Sequence, residues 1–183
     1  MLTAAELGAY IDDRLTQSAF RLELLDVYDV ESDGDDLSRF LAGETAPRAE
    51  RKLPWLGRLH REATQGIVNH RVHVLSRPLT DYLRYAAEWG YAYNAAAGED
   101  IRILDTTDRA APDGLVDHDF WLIDDQHALR MYYDSGGRFL GAEPAPELIE
   151  AYRDTRDLAI GAAEPFALWW VNHPEEHRGI RGT

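Results

Sequence analysis

The chain contains no cysteine, which excludes disulfides, thiolate nucleophiles, iron–sulfur clusters and cysteine-ligated zinc. Basic residues are also scarce, because 19 Lys+Arg stand against 33 Asp+Glu and give a formal net charge of −14. The few arginines are scattered and usually sit beside carboxylates. Such a surface repels phosphate backbones, so we expect no direct nucleic-acid binding. An acidic surface suits a basic protein partner, or simply keeps the protein soluble.

Long hydrophobic runs are missing too, since no apolar stretch approaches the roughly 20 residues that span a bilayer. The first residues, "MLTAAELGAYIDDRL", lack the basic start and apolar core of a signal peptide. We therefore expect a cytoplasmic protein without membrane contacts. The length of 183 residues and the 45% hydrophobic content favour one domain over 1–183, with 173–183 as a frayed tail.

Catalytic and cofactor signatures are equally sparse. The 14 glycines form neither a GxGxxG fingerprint nor a P-loop, and there is no GxSxG or SxxK motif. We therefore predict no cofactor. A metal-dependent hydrolase is a weaker hypothesis, resting on acidic and histidine side chains around one predicted hairpin: Asp117, His118, Asp119, Asp124, Asp125 and His127. Turn carboxylates more often cap the backbone, so we predict no metal site.

Hydrophobic periodicity predicts the fold class. Thr3 caps an amphipathic first helix, and Phe20 and Leu22 alternate with Arg21 and Glu23 as in a strand. Further strand patterns follow, and "DDQH" and "DSGG" suit hairpin turns. The order predicts an α+β domain with a single mixed or mainly antiparallel sheet of four to six strands, covered by helices. A long C-terminal helix is predicted over 146–172, bent at Pro165.

The stretch "VLSRPLTDYLRY" marks a strand-to-helix junction. Free amide groups in the first turn, together with Arg77 and Arg84, could hold an anion. Asp81 lies in the same turn and can pair with Arg84 at the (i, i+3) spacing. We therefore favour a self-satisfied cap, in which Arg84 turns inward to Asp81, Glu99 or Asp119.

Several segments, among them "VHVLSRPLTDYLRY", "NAAAGEDIRIL", "DFWLIDD" and "YDSGGRFLGAE", resemble an actinobacterial family of uncharacterised small acidic proteins. The shared signature is a Pro-Leu-(Ser/Thr)-(Asp/Glu)-Tyr-(Leu/Ile)-Arg segment, and the resemblance covers residues 20–166. The matching positions are Pro78, Leu79, Thr80, Asp81, Tyr82, Leu83, Arg84, Ala97, Gly98, Glu99, Asp100, Asp119, Phe120, Trp121, Leu122, Asp124 and Asp125. The resemblance implies no activity, but many members are encoded near Xre-type helix-turn-helix regulators, which implies such a regulator as a partner.

Two functional hypotheses follow. The first is a non-enzymatic regulatory or protein-interaction module, possible partner of a helix-turn-helix transcription regulator, with a binding surface that includes Arg77, Arg84, Tyr85 and Asp124. The second is an enzyme of small-molecule (secondary) metabolism that acts on a charged planar substrate. In that case Tyr82 or Tyr85 would stack or transfer a proton, and Glu99 or Asp119 would act as the general base. Either hypothesis is compatible with a homo-oligomer.

Overall fold

The computed structural model describes residues 1–179, and a single mixed β-sheet runs through this part of the chain. Its seven strands are β1 (Ser18–Glu23), β2 (Val68–Leu75), β3 (Asp100–Asp105), β4 (Phe120–Ile123), β5 (His127–Tyr133), β6 (Phe139–Pro144) and β7 (Glu164–Pro165). The order across the sheet is β6-β5-β4-β1-β2-β3-β7. Neighbouring strands β1, β2 and β3 are parallel, whereas all other pairs are antiparallel.

Helices cover both faces of the sheet. They are α1 (Ala4–Asp12), α2 (Asp36–Leu41), α3 (Ala49–Thr64), α4 (Asp81–Tyr85), α5 (Ala92–Ala96), α6 (Ile149–Ala162) and α7 (Phe166–Asn172). A π-helical stretch, Ala86–Tyr91, joins α4 to α5, and short 3-10 helices lie at Glu31–Asp33, Pro146–Leu148 and Pro174–Glu176. No helix within 1–179 combines the length and the apolar character needed to cross a membrane.

Local signals start the helices where the sequence predicts. Thr3 and Glu6 form a capping box at the start of α1, with the Glu6 carboxylate 2.8 Å from the Thr3 amide nitrogen. Thr80 caps α4, because its hydroxyl accepts a hydrogen bond from the Leu83 amide at 3.1 Å. These side chains satisfy amide groups that have no partner inside the helix.

The alternation of side chains along each strand divides the core between the two faces. Phe20, Leu22 and Phe120 point to one face, where they pack against Tyr152 and Ala159 of α6. On the other face Ile101 and Ile103 pack against α4 and the π-helical stretch, and α1 packs over the β4–β6 side. A fourth cluster, Phe40, Tyr85 and Trp89, connects α2 with α4 and the π-helical stretch. Between these apolar clusters, the centre of the second face is polar.

The α+β class and the mixed sheet are confirmed, but the predicted strand count of four to six is wrong because the sheet has seven strands within 1–179. The additional strand, β7, interrupts the predicted long helix between α6 and α7. Proline disfavours helical backbone at the residue before it and cannot donate to the helical ladder. Glu164 and Pro165 therefore adopt extended backbone and pair with Ile103 and Arg102 of β3.

The C-terminal segment is docked rather than frayed over the part that the structure describes. Residues Pro174–Glu176 form a 3-10 helix, and the Glu176 side chain is buried. Residues 180–183 of the predicted tail lie outside the described residues.

Candidate functional site

Charged side chains occupy the middle of the helix-covered second face of the sheet. The parallel register of β1 and β2 places Arg21 opposite Arg71 and Glu23 opposite His73. Because alternate residues of a strand share a face, all four side chains point to the same side. Glu23 is 3% exposed and His73 is 0% exposed. These four residues, with Tyr91, Asn94 and Glu99, form what we call the polar network.

Glu23 lies at the centre of the polar network. Its carboxylate accepts hydrogen bonds from Arg71 Nη1 at 2.9 and 3.0 Å, and from the Tyr91 hydroxyl at 2.9 Å. Arg21 Nη2 is 2.9 Å from the same carboxylate. Burial alone would raise the pKa of Glu23, but the charges of Arg21 and Arg71 lower that pKa well below its usual range. Glu23 is therefore ionised and shared by two arginines.

Glu99 extends the polar network on the other side of Arg71. Arg71 Nε donates to Glu99 Oε1 at 2.8 Å, and Asn94 Nδ2 donates to Glu99 Oε2 at 2.8 Å. Burial would lower the pKa of Arg71, but the charges of Glu23 and Glu99 raise it well above its usual value. Glu99, one of the predicted general bases, is thus occupied by internal partners.

His73 closes the polar network against the end of β1. Its Nδ1 lies 2.6 Å from the Tyr91 hydroxyl, and its Nε2 lies 3.0 Å from the carbonyl oxygen of Leu25. Burial lowers the pKa of His73, which favours the neutral imidazole near pH 7. The π-helical stretch carries Tyr91 into this position, and such insertions often occur at functional sites.

Asp119, the second predicted general base, lies next to the polar network. It accepts hydrogen bonds from the Tyr28 hydroxyl at 2.5 Å and from the Leu24 amide at 2.9 Å. Burial raises the pKa of Asp119 to about 6, although the Tyr28 hydrogen bond acts in the opposite direction. The Tyr28 ring also contacts His73, with ring centroids 6.0 Å apart. Asp119 therefore anchors the segment that follows β1.

A cleft of about 1100 Å³ opens beside the polar network, where neither α1 nor α3 covers the sheet. Arg21 and Trp121 form part of its floor, and Trp55 of α3 and Gly8 of α1 stand on opposite walls. The other lining residues are Thr3, Ala4, Leu7, Ile11, Leu15, Ala19, Asp29, Val30, Glu31, Arg58, Asn69, Met131, Tyr133, Arg138, Phe139 and Leu140. A largely apolar cleft with a few polar groups on its floor is typical of small-molecule binding sites.

Two contacts limit the cleft along its length. Arg58 Nη1 of α3 lies 2.6 Å from the Asp12 carboxylate of α1 and so bridges the two walls. Elsewhere on the rim, Asp29 forms an isolated β-bridge with Arg138, and its amide donates to the Gly137 carbonyl at 3.0 Å. One ion pair between the walls and one β-bridge at the rim therefore restrain the surroundings of the cleft.

At the strand-to-helix junction, the two arginines that could have held an anion pair with the chain's own carboxylates. Arg77 Nε donates to Asp105 at 2.7 Å, and its Nη2 donates to Asp108 at 2.9 Å. Arg84 turns inward, but its partner is Glu176 at 2.8 Å rather than Glu99 or Asp119; Asp81 lies 3.8 Å away. Sequence spacing could not reveal Glu176, because it lies 92 residues further along the chain.

The remaining predicted site residues also have internal contacts. Burial raises the pKa of Tyr82 and that of Tyr85, and the two rings lie 5.9 Å apart between centroids. The Asp124 carboxylate accepts hydrogen bonds from the backbone amides of residues 16, 17 and 18 at 3.0, 2.8 and 2.9 Å. Glu99, Asp119, Tyr82 and Tyr85 do not line the cleft.

The residues of the metal hypothesis are dispersed among other partners. His118 Nε2 lies 2.8 Å from the Tyr152 hydroxyl, and Asp125 pairs with Arg156. Within residues 1–179 no three acidic or histidine side chains are close enough to hold a metal ion together.

The chain is similar to a known protein family. The model of a family described as a domain of unknown function (DUF6879) matches residues 5–171. No curated protein matches the chain. The family match covers both the polar network and most of the cleft lining.

Proposed function

The chain belongs to the DUF6879 family, and from that premise we propose that it is a non-enzymatic binding module that engages a basic surface of a partner protein. A helix-turn-helix regulator is the partner class that we propose. The observation that carries this proposal is an exposed segment after β1, which displays three carboxylates and two valines. We call Asp26, Val27, Asp29, Val30 and Glu31 the acidic segment.

The side chains of the acidic segment are free to meet a partner. Val27 is 45% exposed and Val30 is 37% exposed, which is unusual for valine. Asp26, Asp29 and Glu31 are exposed, and within residues 1–179 their carboxylates have no hydrogen-bond or ion-pair partner. Carboxylates that alternate with apolar groups suit a surface that offers lysine or arginine beside hydrophobic residues.

The backbone of the acidic segment is held in place. Tyr28, which lies between Asp26 and Asp29 in the sequence, is buried and donates a hydrogen bond to Asp119. The Thr80 hydroxyl donates to the Asp26 carbonyl at 2.6 Å, and the Asp29 amide donates to Gly137. A surface that is ordered before binding loses little conformational entropy when the partner arrives.

Long-range electrostatics act in the same direction. With a net charge of −14, the chain attracts a basic partner and accelerates encounter. A helix-turn-helix domain binds DNA phosphates through basic side chains. An acidic module on that surface would compete with DNA, which gives the proposed interaction a regulatory consequence.

The alternative of acid–base catalysis has less support. Glu99 and Asp119 both hold internal hydrogen-bond donors, and neither lines the cleft. A substrate would have to displace those donors before it reached either carboxylate.

The test uses the helix-turn-helix regulator encoded nearest to this chain, purified separately, with binding measured by calorimetry at several salt concentrations. The triple variant Asp26→Asn, Asp29→Asn and Glu31→Gln should weaken binding by about tenfold or more, because three charges at the interface are lost. The control removes the same charge from three exposed carboxylates on other parts of the surface: Asp113→Asn, Glu147→Gln and Asp154→Asn.

The control variant should change binding by no more than about threefold, since it alters only the net charge. Equal effects of the two triple variants would show that net charge, rather than the acidic segment, drives association. No complex with the wild-type chain at low salt would refute the proposal.

A further inference from the structure

We propose that the cleft between α1 and α3 binds a small planar aromatic molecule that carries a carboxylate, with the carboxylate on Arg21. This site is separate from the proposed partner interaction in its ligand and in the atoms that recognise it. The two sites adjoin, because three of the five residues of the acidic segment, Asp29, Val30 and Glu31, also line the cleft.

The size and walls of the cleft select a small aromatic molecule. A volume of about 1100 Å³ holds a ligand of a few fused or linked rings. Trp55 and Trp121 are both half-buried and line the cleft, as do Met131 and Phe139. Aromatic side chains pack well against flat rings. The Arg58–Asp12 bridge would obstruct a long peptide segment passing between α1 and α3.

The position of Arg21 selects the polar group of the ligand. Its side chain is 19% exposed and lines the cleft, and its guanidinium carbon lies 5.4 Å from the Trp121 ring centroid. Arg21 Nε is buried and has no hydrogen-bond partner within residues 1–179. An arginine that has one unused donor and lies beside an aromatic ring is well suited to a planar acid.

The charge balance of the polar network favours an anion over a neutral acceptor. Within residues 1–179 Arg21 has a single carboxylate partner, Glu23, at 2.9 Å, and Arg71 shares that carboxylate through two hydrogen bonds of 2.9 and 3.0 Å. Arg71 in addition holds Glu99. Of the two arginines in the polar network, Arg21 is therefore the one with less charge compensation, and the surrounding low dielectric strengthens its attraction for a carboxylate.

Two matched probes test the proposal by calorimetry, namely 1-naphthoate and its neutral analogue 1-naphthamide. The rings are the same, so a difference in affinity reports recognition of the charge. We expect the wild-type chain to bind the acid about tenfold or more tightly than the amide. Arg21→Gln should abolish this preference while leaving the affinity for the amide within about threefold.

A second variant tests the location without disturbing the polar network. Gly8 lines the cleft, and a Cβ placed on it would meet no atom within 4 Å. Gly8→Phe should therefore place its ring in the cleft. The variant should also fold, because phenylalanine is a better helix former than glycine. The control is Gly161→Phe in α6, where a Cβ again meets no atom within 4 Å and which lies outside the cleft lining.

Gly8→Phe should weaken naphthoate binding by about tenfold or more, whereas Gly161→Phe should leave it within about twofold. Absence of saturable naphthoate binding to the wild-type chain at millimolar concentration would overturn the proposal. Equal affinity for acid and amide, or binding that Gly8→Phe does not weaken, would overturn it as well. None of these results depends on whether a partner protein binds the acidic segment.

Discussion

Replacement of Glu23 by glutamine removes the charge at the centre of the polar network while changing the side-chain volume very little. The variant leaves Arg21 and Arg71 buried or half-buried without the carboxylate that they share. The Tyr91 hydroxyl retains an acceptor, because the glutamine carbonyl can replace one carboxylate oxygen. The perturbation is therefore mainly electrostatic.

The expected loss of stability follows from the burial of the group. Removing one partner of a buried ion pair typically costs about 3–5 kcal/mol, since the other charge remains in a low-dielectric environment. Arg71 keeps Glu99 at 2.8 Å, and Arg21 is 19% exposed so that water can reach part of it. We therefore expect the lower end of that range, about 3 kcal/mol.

The assay is urea unfolding at pH 7, followed by far-UV circular dichroism, with the free energy of unfolding extrapolated to zero denaturant. The control is Glu150→Gln, whose carboxylate is 80% exposed and pairs with Arg153 on the surface. We expect the control to lose at most about 1 kcal/mol. A loss below about 1 kcal/mol for Glu23→Gln would refute the reasoning, because the polar network would then stabilise no more than a surface pair.

The pH dependence gives an independent check of the same variant. Arg21 and Arg71 hold the pKa of Glu23 well below its usual range in the folded state. The stabilisation from Glu23 is therefore present above the ordinary glutamate pKa of about 4.3 and is lost as the pH falls through the folded-state value. The difference in unfolding free energy between wild type and Glu23→Gln should shrink in acid.

Three further predictions concern the surroundings of the polar network. Burial raises the pKa of Asp119 to about 6. Between about pH 4 and 6 the folded chain therefore holds a proton that the unfolded chain has lost, and the folded chain loses stability as the pH rises through that window. Asp119→Asn should remove this pH-dependent loss, which is about 2–3 kcal/mol across the window when measured by urea unfolding. Parallel plots of unfolding free energy against pH for the variant and the wild type would contradict this prediction. Glu176→Gln should expose the C-terminal segment to limited proteolysis, whereas Glu175→Gln should not, because Glu176 is 4% exposed and the Glu175 side chain is 56% exposed. Gly137→Ala should lower the thermal midpoint by several degrees more than Gly136→Ala, since Gly137 has φ +82° and a Cβ there would lie 2.2 Å from a backbone oxygen; equal midpoints would refute this reading.

Features with local causes could be predicted from the sequence. The capping box at Thr3 and the cap at Thr80 use residues three positions apart. The turn after β4 is also local, because Asp124 and Asp125 adopt positive φ values of 50° and 57°, as a tight hairpin requires. Each of these interactions is complete within a few residues, so the pattern and the structure agree.

The polar network could not be predicted, because its contacts are long-range. Arg71 meets Glu23 at a separation of 48 residues and Glu99 at 28. In the sequence, Arg21 and Glu23 alternate with apolar residues, a pattern that normally indicates a solvent-facing side of an antiparallel strand. Here helices flank that side of the sheet, and Glu23 is 3% exposed. The alternation therefore predicts the strand correctly, but it wrongly places these charged side chains in solvent.

The cleft and the polar network meet at β1, and this arrangement has a physical basis. β1 is the strand at which the sheet changes from parallel to antiparallel pairing, with β2 on one side and β4 on the other. Helix α3 packs against β2, which belongs to the parallel half of the sheet, whereas α1 packs against β6 in the antiparallel half. The two helices are therefore separated above β1. Buried ion pairs contribute little net stability compared with apolar packing, and a half-buried tryptophan floor is costly to leave in water. Arg21 of β1 lies directly opposite Trp121 of β4, and both features benefit the protein most if Arg21 and the floor around it bind a ligand.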